Sequence, residues 1–173
     1  MKIFIKIIIV LLLCNINAFA QTFTPSLFEN AEYKYSMLLP KEWKTEIPME
    51  EYHVVRCEYR IDSNVQADMN FKIMIMQGGT REEALKSFLK IYNMFYKDIK
   101  EIKEEAISIN GKECIWKEIS YKEKKSTNNS RYEIICVYER NNTVLKISFS
   151  GLEELYLKNK ELVLNCLKSF KYE

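Results

Sequence analysis

Between residues 31 and 77 apolar and polar side chains alternate in three runs, at 31–39, 52–61 and 68–77. A period of two is typical of a β-strand with one buried face. Pro40 ends the first run, and turn residues at 62–64 separate the second from the third. We therefore predict three strands. Their inward-facing residues are predicted to be Tyr33, Tyr35, Met37, Leu39, Val55, Cys57, Tyr59, Ile61, Met69, Phe71, Ile73 and Ile75.

A helical period begins after Gly78-Gly79. Thr80 and Glu83 have the spacing of a capping box, in which two side chains satisfy free amides of the first helical turn. Apolar residues then recur every three or four positions, which predicts an amphipathic helix down to about Lys97. Its stripe is Leu85, Phe88, Leu89, Tyr92, Phe95, Tyr96 and Ile99. The glycine pair lacks the lysine and serine of a phosphate-binding loop, so it is interpreted as a strand-to-helix turn.

Four further strands are predicted at 102–109, 113–122, 131–139 and 144–149. Asn110-Gly111 is the preferred sequence of a two-residue type I′ turn, Asn141-Asn142 marks a second turn, and 126–130 is predicted as a loop. Tyr132, Ile134, Cys136 and Tyr138 are predicted to face inward. Hairpin connections of this kind make the strands antiparallel neighbours.

The last segment is predicted to be one amphipathic helix, opened by a second capping box at Ser150 and Glu153. The predicted order is three strands, a helix, four strands and a helix. It indicates an α+β fold, with an antiparallel sheet of about six to seven strands covered by two main helices.

The first twenty residues resemble an export signal. Lys2 and Lys6 precede an apolar core, and Ala18 and Ala20 form an A-x-A cleavage pattern before Gln21. The apolar run is shorter than the roughly 20 residues that cross a bilayer. We therefore expect a signal peptide at 1–20 and a periplasmic or secreted chain. Lipid attachment at Cys14 is the alternative, although Leu13 replaces the small residue preferred before a lipidated cysteine.

Residues 21–173 suit a single domain with one sizeable core. The formal net charge of +2 comes from the two leader lysines, so the mature chain is neutral. A neutral domain lacks the basic field that attracts phosphate backbones, which argues against nucleic acid as a partner. No apolar stretch in this part is long enough to span a membrane.

Four cysteines remain after the leader, and an even number in an exported chain raises the possibility of disulfides. They are Cys57, Cys114, Cys136 and Cys166. The predicted hairpin places Cys114 opposite a residue near Glu139, about three positions from Cys136, which argues against that pair. Buried free thiols, which pack as small apolar groups, are the alternative.

Three segments resemble the PsbP-like fold, which occurs in many exported bacterial proteins. They are 35–44, with the sequence YSMLLPKEWK, the late strand 144–149, and the closing 167–170, LKSF. The resemblance implies a small accessory or binding domain in which enzymatic activity is uncommon. The matching positions are packing and turn residues, so no site residue is carried over from it.

The sequence lacks the motifs of common active sites. It contains no G-x-S-x-G elbow and no C-x-x-C pair, and its only histidine is His53. His53 with Glu50 and Glu51 is conceivable as a weak metal or proton-transfer site, but an exposed strand start is the favoured interpretation. We therefore expect no metal, no cofactor and no enzymatic activity.

Trp43, Trp116, Tyr35 and Tyr59 are candidates for an aromatic groove that binds a ligand or partner, with core packing as the alternative. The favoured hypothesis is an exported, non-enzymatic accessory domain that binds an envelope protein or a small apolar ligand. A rival hypothesis is an enzyme whose carboxylates and tyrosines are scattered along the sequence. A third is an envelope component tethered through Cys14.

Overall fold

The computed structural model describes residues 23–47, 53–61, 67–124 and 129–173. These ranges contain ten strands and three helices. In chain order they are β1 Pro25–Asn30, β2 Tyr35–Pro40, β3 Lys44–Glu46, β4 His53–Tyr59, β5 Met69–Gln77, α1 Arg81–Phe95, β6 Tyr96–Ile109, β7 Lys112–Glu123, β8 Ser130–Arg140, β9 Thr143–Leu152, α2 Glu153–Lys158, α3 Lys160–Lys168 and β10 Lys171–Tyr172.

Seven strands form a large sheet in the order β3-β4-β5-β9-β8-β7-β6, and three form a small sheet in the order β1-β2-β10. Every pairing in both sheets is antiparallel. The α+β class, the antiparallel sheet and its number of strands are therefore confirmed. The small sheet was not predicted as a separate unit, and neither were the short strands β1, β3 and β10.

Both predicted hairpin turns are present. Asn110 and Gly111 have φ values of 51° and 78°, and Asn141 and Asn142 have φ values of 44° and 61°. Two consecutive positive φ values define the type I′ turn, whose twist matches that of the flanking strands. These turns set the registers of β6 with β7 and of β8 with β9.

The start of α1 is as predicted, but its end is not. The Thr80 Oγ1 accepts a hydrogen bond from the Glu83 amide at 3.2 Å, and Glu83 Oε2 accepts one from the Thr80 amide at 3.0 Å. The helix ends at Phe95, and β6 begins at once because Tyr96 pairs with Glu123 of β7. Tyr96 and Ile99 therefore belong to a strand, and Phe95 is 62% exposed.

The second predicted capping box is wrong. Strand β9 continues through Gly151 and Leu152, which pair with Tyr132 and Arg131 of β8. The Ser150 hydroxyl consequently lies on the sheet, 3.3 Å from the Tyr121 hydroxyl, and α2 begins without a side-chain cap. The single closing helix is also corrected, because it breaks at Asn159 into α2 and α3.

The large sheet has two faces, which we name after the helices that cover them. The α3 face packs against α2, α3 and the small sheet, while the α1 face packs against α1. Strand β8 is buried on both: Ile134 and Cys136 contribute to the α3 face, and Ile135 and Val137 contribute to the α1 face. Most predicted inward residues lie in the α3-face core, but Tyr33 and Ile61 are exposed.

The four cysteines of the described ranges are free thiols, and all are buried. Cys114 lies opposite Tyr138, and Trp116 lies opposite Cys136, so the two cysteines are two positions out of register. The predicted offset of three positions is corrected to two. Burial raises the pKa of Cys57 to about 11 and that of Cys166 to about 12.

Candidate functional site

Helix α1 covers only part of the α1 face. Its buried residues Ala84, Leu85 and Phe88 pack in one apolar cluster with side chains from β7, β8 and β9. Farther along the sheet, on β4, β5 and β9, the same face carries charged and polar side chains. Beside α1 these polar side chains line a cavity of about 290 Å³.

Strand register arranges the polar residues in two adjacent rows across the sheet. Opposite one another on β4, β5 and β9 lie Arg56, Lys72 and Ser148, which we call the cation row. The acceptor row crosses β4, β5, β9 and β8 and consists of Glu58, Asn70, Ser150 and Glu133. Along each strand the rows are two residues apart, which is roughly 7 Å.

Glu133 is the most buried acid of the cavity, at 2% exposure. It accepts hydrogen bonds from the hydroxyls of Tyr92 and Tyr121, the second at 3.2 Å. The Nζ of Lys146 lies 3.8 Å from Glu133 Oε1 and 4.3 Å from the centre of the Phe88 ring. Glu133 thus has its charge and its lone pairs satisfied within the protein.

The two tyrosines bound to Glu133 are proton donors, and their environment keeps them so. Burial, followed by the charge of Glu133, raises the pKa of Tyr92 and of Tyr121 well above the usual range. A catalytic tyrosine base needs the opposite shift. The arrangement therefore suits hydrogen bonding to a bound group better than proton abstraction.

Lys72 differs from Lys146 because nothing in the described ranges pairs with it. No residue there lies within ion-pair or hydrogen-bond distance of it. Burial lowers the pKa of its ammonium group and outweighs the opposing charges of Glu133 and Glu58. A partly buried charge without a partner is costly. Lys72 is accordingly available to bind a negative group in the cavity.

The cavity lining has an excess of positive charge. It contains four cationic residues, Arg56, Arg60, Lys72 and Lys146, and two acidic residues, Glu58 and Glu133. Glu58 is already held by Arg60 at 2.6 Å and lies 3.7 Å from Arg56. Cationic side chains therefore outnumber acidic ones among the described lining residues, and this composition is suited to an anion.

The structure places the predicted aromatic groove residues inside the protein. Tyr35, Trp43 and Trp116 are each 3% exposed, and Tyr59 is half-buried against the same α3-face core. Trp43 and Tyr59 stack with ring centres 6.0 Å apart, whereas the indole of Trp116 donates to Glu118 at 2.7 Å. Their positions are those of core packing, and a binding role for them stays a prediction.

Other predicted features are only partly described. Strand β4 starts at His53, but Glu50 and Glu51 lie outside the described residues, as do Cys14, Ala18 and Ala20. Gly78 and Gly79 have φ values of 74° and 83° and form the expected strand-to-helix turn. Among the described residues no cluster of three His, Cys, Asp or Glu side chains could hold a metal. No helix of these ranges is long and apolar enough to cross a membrane.

The cavity residues were missed because alternation alone assigns them to a solvated face. Glu133 and Lys146 did carry a signal, since each interrupts a strongly apolar run, in β8 and β9. A charge in such a run indicates a buried polar cluster when the strand is central in the sheet. Asn70 and Lys72 do not interrupt an apolar run in this way, so the sequence gives no sign that they lie in a buried polar cluster.

No family model and no curated protein matches the chain. Solved structures do match. Cyanobacterial PsbP (CyanoP) from Synechocystis sp. PCC 6803 is similar with a TM-score of 0.66 at 17% identity, covering 88% of this chain and 94% of that one. The fold is PsbP-like. This confirms the resemblance seen in the sequence.

Two further structures share this PsbP-like fold. The Ran-binding protein Mog1p of Saccharomyces cerevisiae has a TM-score of 0.59 at 11% identity, covering 87% of this chain and 96% of its own. LpqN, involved in cell envelope biogenesis of Mycobacterium tuberculosis, has a TM-score of 0.59 at 8% identity, with coverages of 87% and 91%. At such identities the similarity establishes the fold, and function is argued from the site.

Proposed function

We propose that this PsbP-like chain is an exported, non-enzymatic binding domain whose polar cavity binds a small organic anion. The observation that carries the proposal is Lys72, a partly buried ammonium group without an ion pair in the described ranges, in a cavity whose described lining has more cationic than acidic residues. A bound anion supplies the partner that Lys72 lacks.

The cavity favours a polar ligand over the small apolar ligand expected from the sequence. Its lining combines four cations with tyrosine and serine hydroxyls. Transfer of an apolar molecule into such a site would strip water from polar groups without replacing their hydrogen bonds. An anion that accepts from these donors avoids that cost.

Binding alone, rather than catalysis, fits the geometry best. The cavity does bring carboxylates and tyrosines together, as the rival enzyme hypothesis requires. However, Glu133 is fully engaged by its neighbours, and the raised pKa values of Tyr92 and Tyr121 oppose a role as bases. Two proteins with this fold are named for a binding or an envelope role, Ran-binding Mog1p and LpqN, and this supports a binding domain.

Export is proposed from the leader at 1–20, and it is supported by LpqN, a protein of the same fold that is involved in cell envelope biogenesis. Mass spectrometry of the mature protein should find Gln21 at the N-terminus. A diacylated Cys14 would replace free export by membrane tethering, and an intact leader in the mature protein would refute export.

Calorimetric titration of the purified protein with succinate, sulfate and phosphate tests the ligand proposal. We expect at least one anion to bind to the wild-type protein, and Lys72→Met to weaken that binding about tenfold or more. Lys41→Met, which removes an exposed lysine away from the cavity, is the matched control and should bind normally. Absence of anion binding, or equal binding by both variants, would refute the proposal.

A further inference from the structure

A second unsatisfied group lies in the cavity beside Lys72. Asn70 is 5% exposed, and its Oδ1 has no hydrogen-bond partner among the described residues. It belongs to the cavity lining, between Glu58 and Ser150 in the acceptor row. Buried amide oxygens are almost always hydrogen-bonded, so an open one needs an explanation.

The neighbours of Asn70 in the acceptor row do not donate to it, because they are themselves acceptors or already engaged, and Lys72 in the adjacent row makes no hydrogen bond to it. Glu58 is a carboxylate held by Arg60, and Glu133 is a carboxylate held by two tyrosines. The Ser150 hydroxyl lies 3.3 Å from that of Tyr121. This row has acceptors in excess, and the group it lacks is a hydrogen-bond donor.

Asn70 and Lys72 lie two residues apart on β5, so their side chains share a face of the sheet. One presents an open acceptor, and the other presents an unpaired cation. A ligand that satisfies both carries a negative group for Lys72 and a donor close to it for Asn70. The cavity of about 290 Å³ is large enough for a four-carbon acid.

We infer that the ligand is a small hydroxy- or amino-carboxylate, whose carboxylate binds Lys72 and whose neighbouring hydroxyl or ammonium group donates to Asn70 Oδ1. The inference rests on the proposed function, because it assumes that the cavity binds an organic anion. The inference adds that the site discriminates among anions by a hydrogen-bond donor next to the carboxylate of the ligand. A site with a buried acceptor discriminates against a ligand that lacks the donor.

Succinate, L-malate and L-aspartate test this directly, since they share one four-carbon dicarboxylate skeleton and differ by a hydrogen, a hydroxyl or an ammonium group. In calorimetric titration of the wild-type protein, we expect malate or aspartate to bind about tenfold tighter than succinate. Asn70→Leu, which keeps the size of the side chain but removes the acceptor, should abolish the preference, so that malate and aspartate bind no tighter than succinate.

The outcomes separate the two proposals. Equal affinity for the three acids, or binding of sulfate or phosphate alone, would overturn this inference and leave the anion site standing. Absence of binding by any of these anions would overturn both. If Asn70→Leu still binds malate or aspartate more tightly than succinate, another residue accepts the hydrogen bond from the ligand, and the role of Asn70 is overturned. If thermal melting shows that Asn70→Leu is unfolded, Asn70→Ala provides the same comparison, and the wild-type series is decisive by itself.

Discussion

The two faces of the large sheet share the same strands but bury different chemistry. On the α3 face, Phe71 packs between Trp43 and Phe149, with ring centres 5.4 and 5.3 Å away. On the α1 face, Glu133 and Lys146 are nearly as buried, and Lys72 and Asn70 lack partners in the described ranges. Apolar burial stabilises a fold, whereas burial of charge rarely does. The difference indicates that the α3 face contributes more of the apolar burial that stabilises the fold, and that the α1 face carries the proposed site.

The largest expected effect is loss of an aromatic ring from the α3 face. Phe71 is fully buried, so Phe71→Ala should lower the free energy of unfolding by about 3–5 kcal/mol through lost burial and a new cavity. Urea denaturation measures this. Phe95→Ala removes the same ring from a position that is 62% exposed and should change stability by less than about 0.5 kcal/mol. Similar losses in both variants would contradict the assignment of the core.

The next effect comes from breaking the buried pair on the α1 face. Glu133→Ala leaves Lys146 buried without its carboxylate, and should cost about 3 kcal/mol in urea denaturation. The double variant Glu133→Leu with Lys146→Met removes both charges and should recover most of that loss. If the double variant is less stable than Glu133→Ala, the pair contributes to stability in its own right and the comparison of the faces fails.

Alkaline pH should weaken the α3 face. Folding raises the pKa of Cys57 to about 11, so the folded state keeps a proton that the unfolded state releases. The stabilisation is complete below pH 9 and is lost as the pH rises towards 11, by about 2 kcal/mol. Stability measured between pH 8 and pH 11 should therefore decline, and the decline should be shallower in Cys57→Ala. An unchanged slope in that variant would exclude this thiol as a cause.

The smallest effect on stability is expected from Lys72→Met. Because Lys72 is partly buried without a partner and its pKa is lowered, removal of its charge should leave stability unchanged or raise it by up to about 1 kcal/mol. Thermal melting of the ligand-free protein measures this. If the free energy of unfolding falls by more than about 1 kcal/mol, Lys72 stabilises the fold, and the two faces then differ less in their contribution to stability than we infer.

The sequence predicted correctly those elements whose residue pattern is compatible with only one local structure. Thr80 with Glu83, and Asn110-Gly111, each satisfy local backbone geometry, and both are confirmed. Tyr96 and Ile99 were misassigned because they continue the helical stripe as well as they fit a strand. Pairing with β7 decided between the two, and such long-range contacts override local propensity.

The site was harder to predict than the fold because it depends on register between distant strands. Arg56 and Lys72 are adjacent only because β4 pairs with β5, and Ser148 joins them only because β9 inserts between β5 and β8. In the sequence each is one polar residue of an alternating strand, with the same pattern as a residue that faces solvent. The polar cavity beside α1 appears only once these strands are placed side by side.

Strand β10 pairs with a strand that is distant in sequence, and this has a consequence for folding. Its residues Lys171 and Tyr172 pair with Ser36 and Tyr35, about 135 positions earlier in the sequence. Strand β5 likewise pairs with β9, which is synthesised about seventy residues later. During synthesis from the N-terminus, β2 and β5 are therefore made well before β10 and β9, with which they pair. Contacts between residues so far apart in the chain raise the contact order of the fold, and a high contact order slows folding.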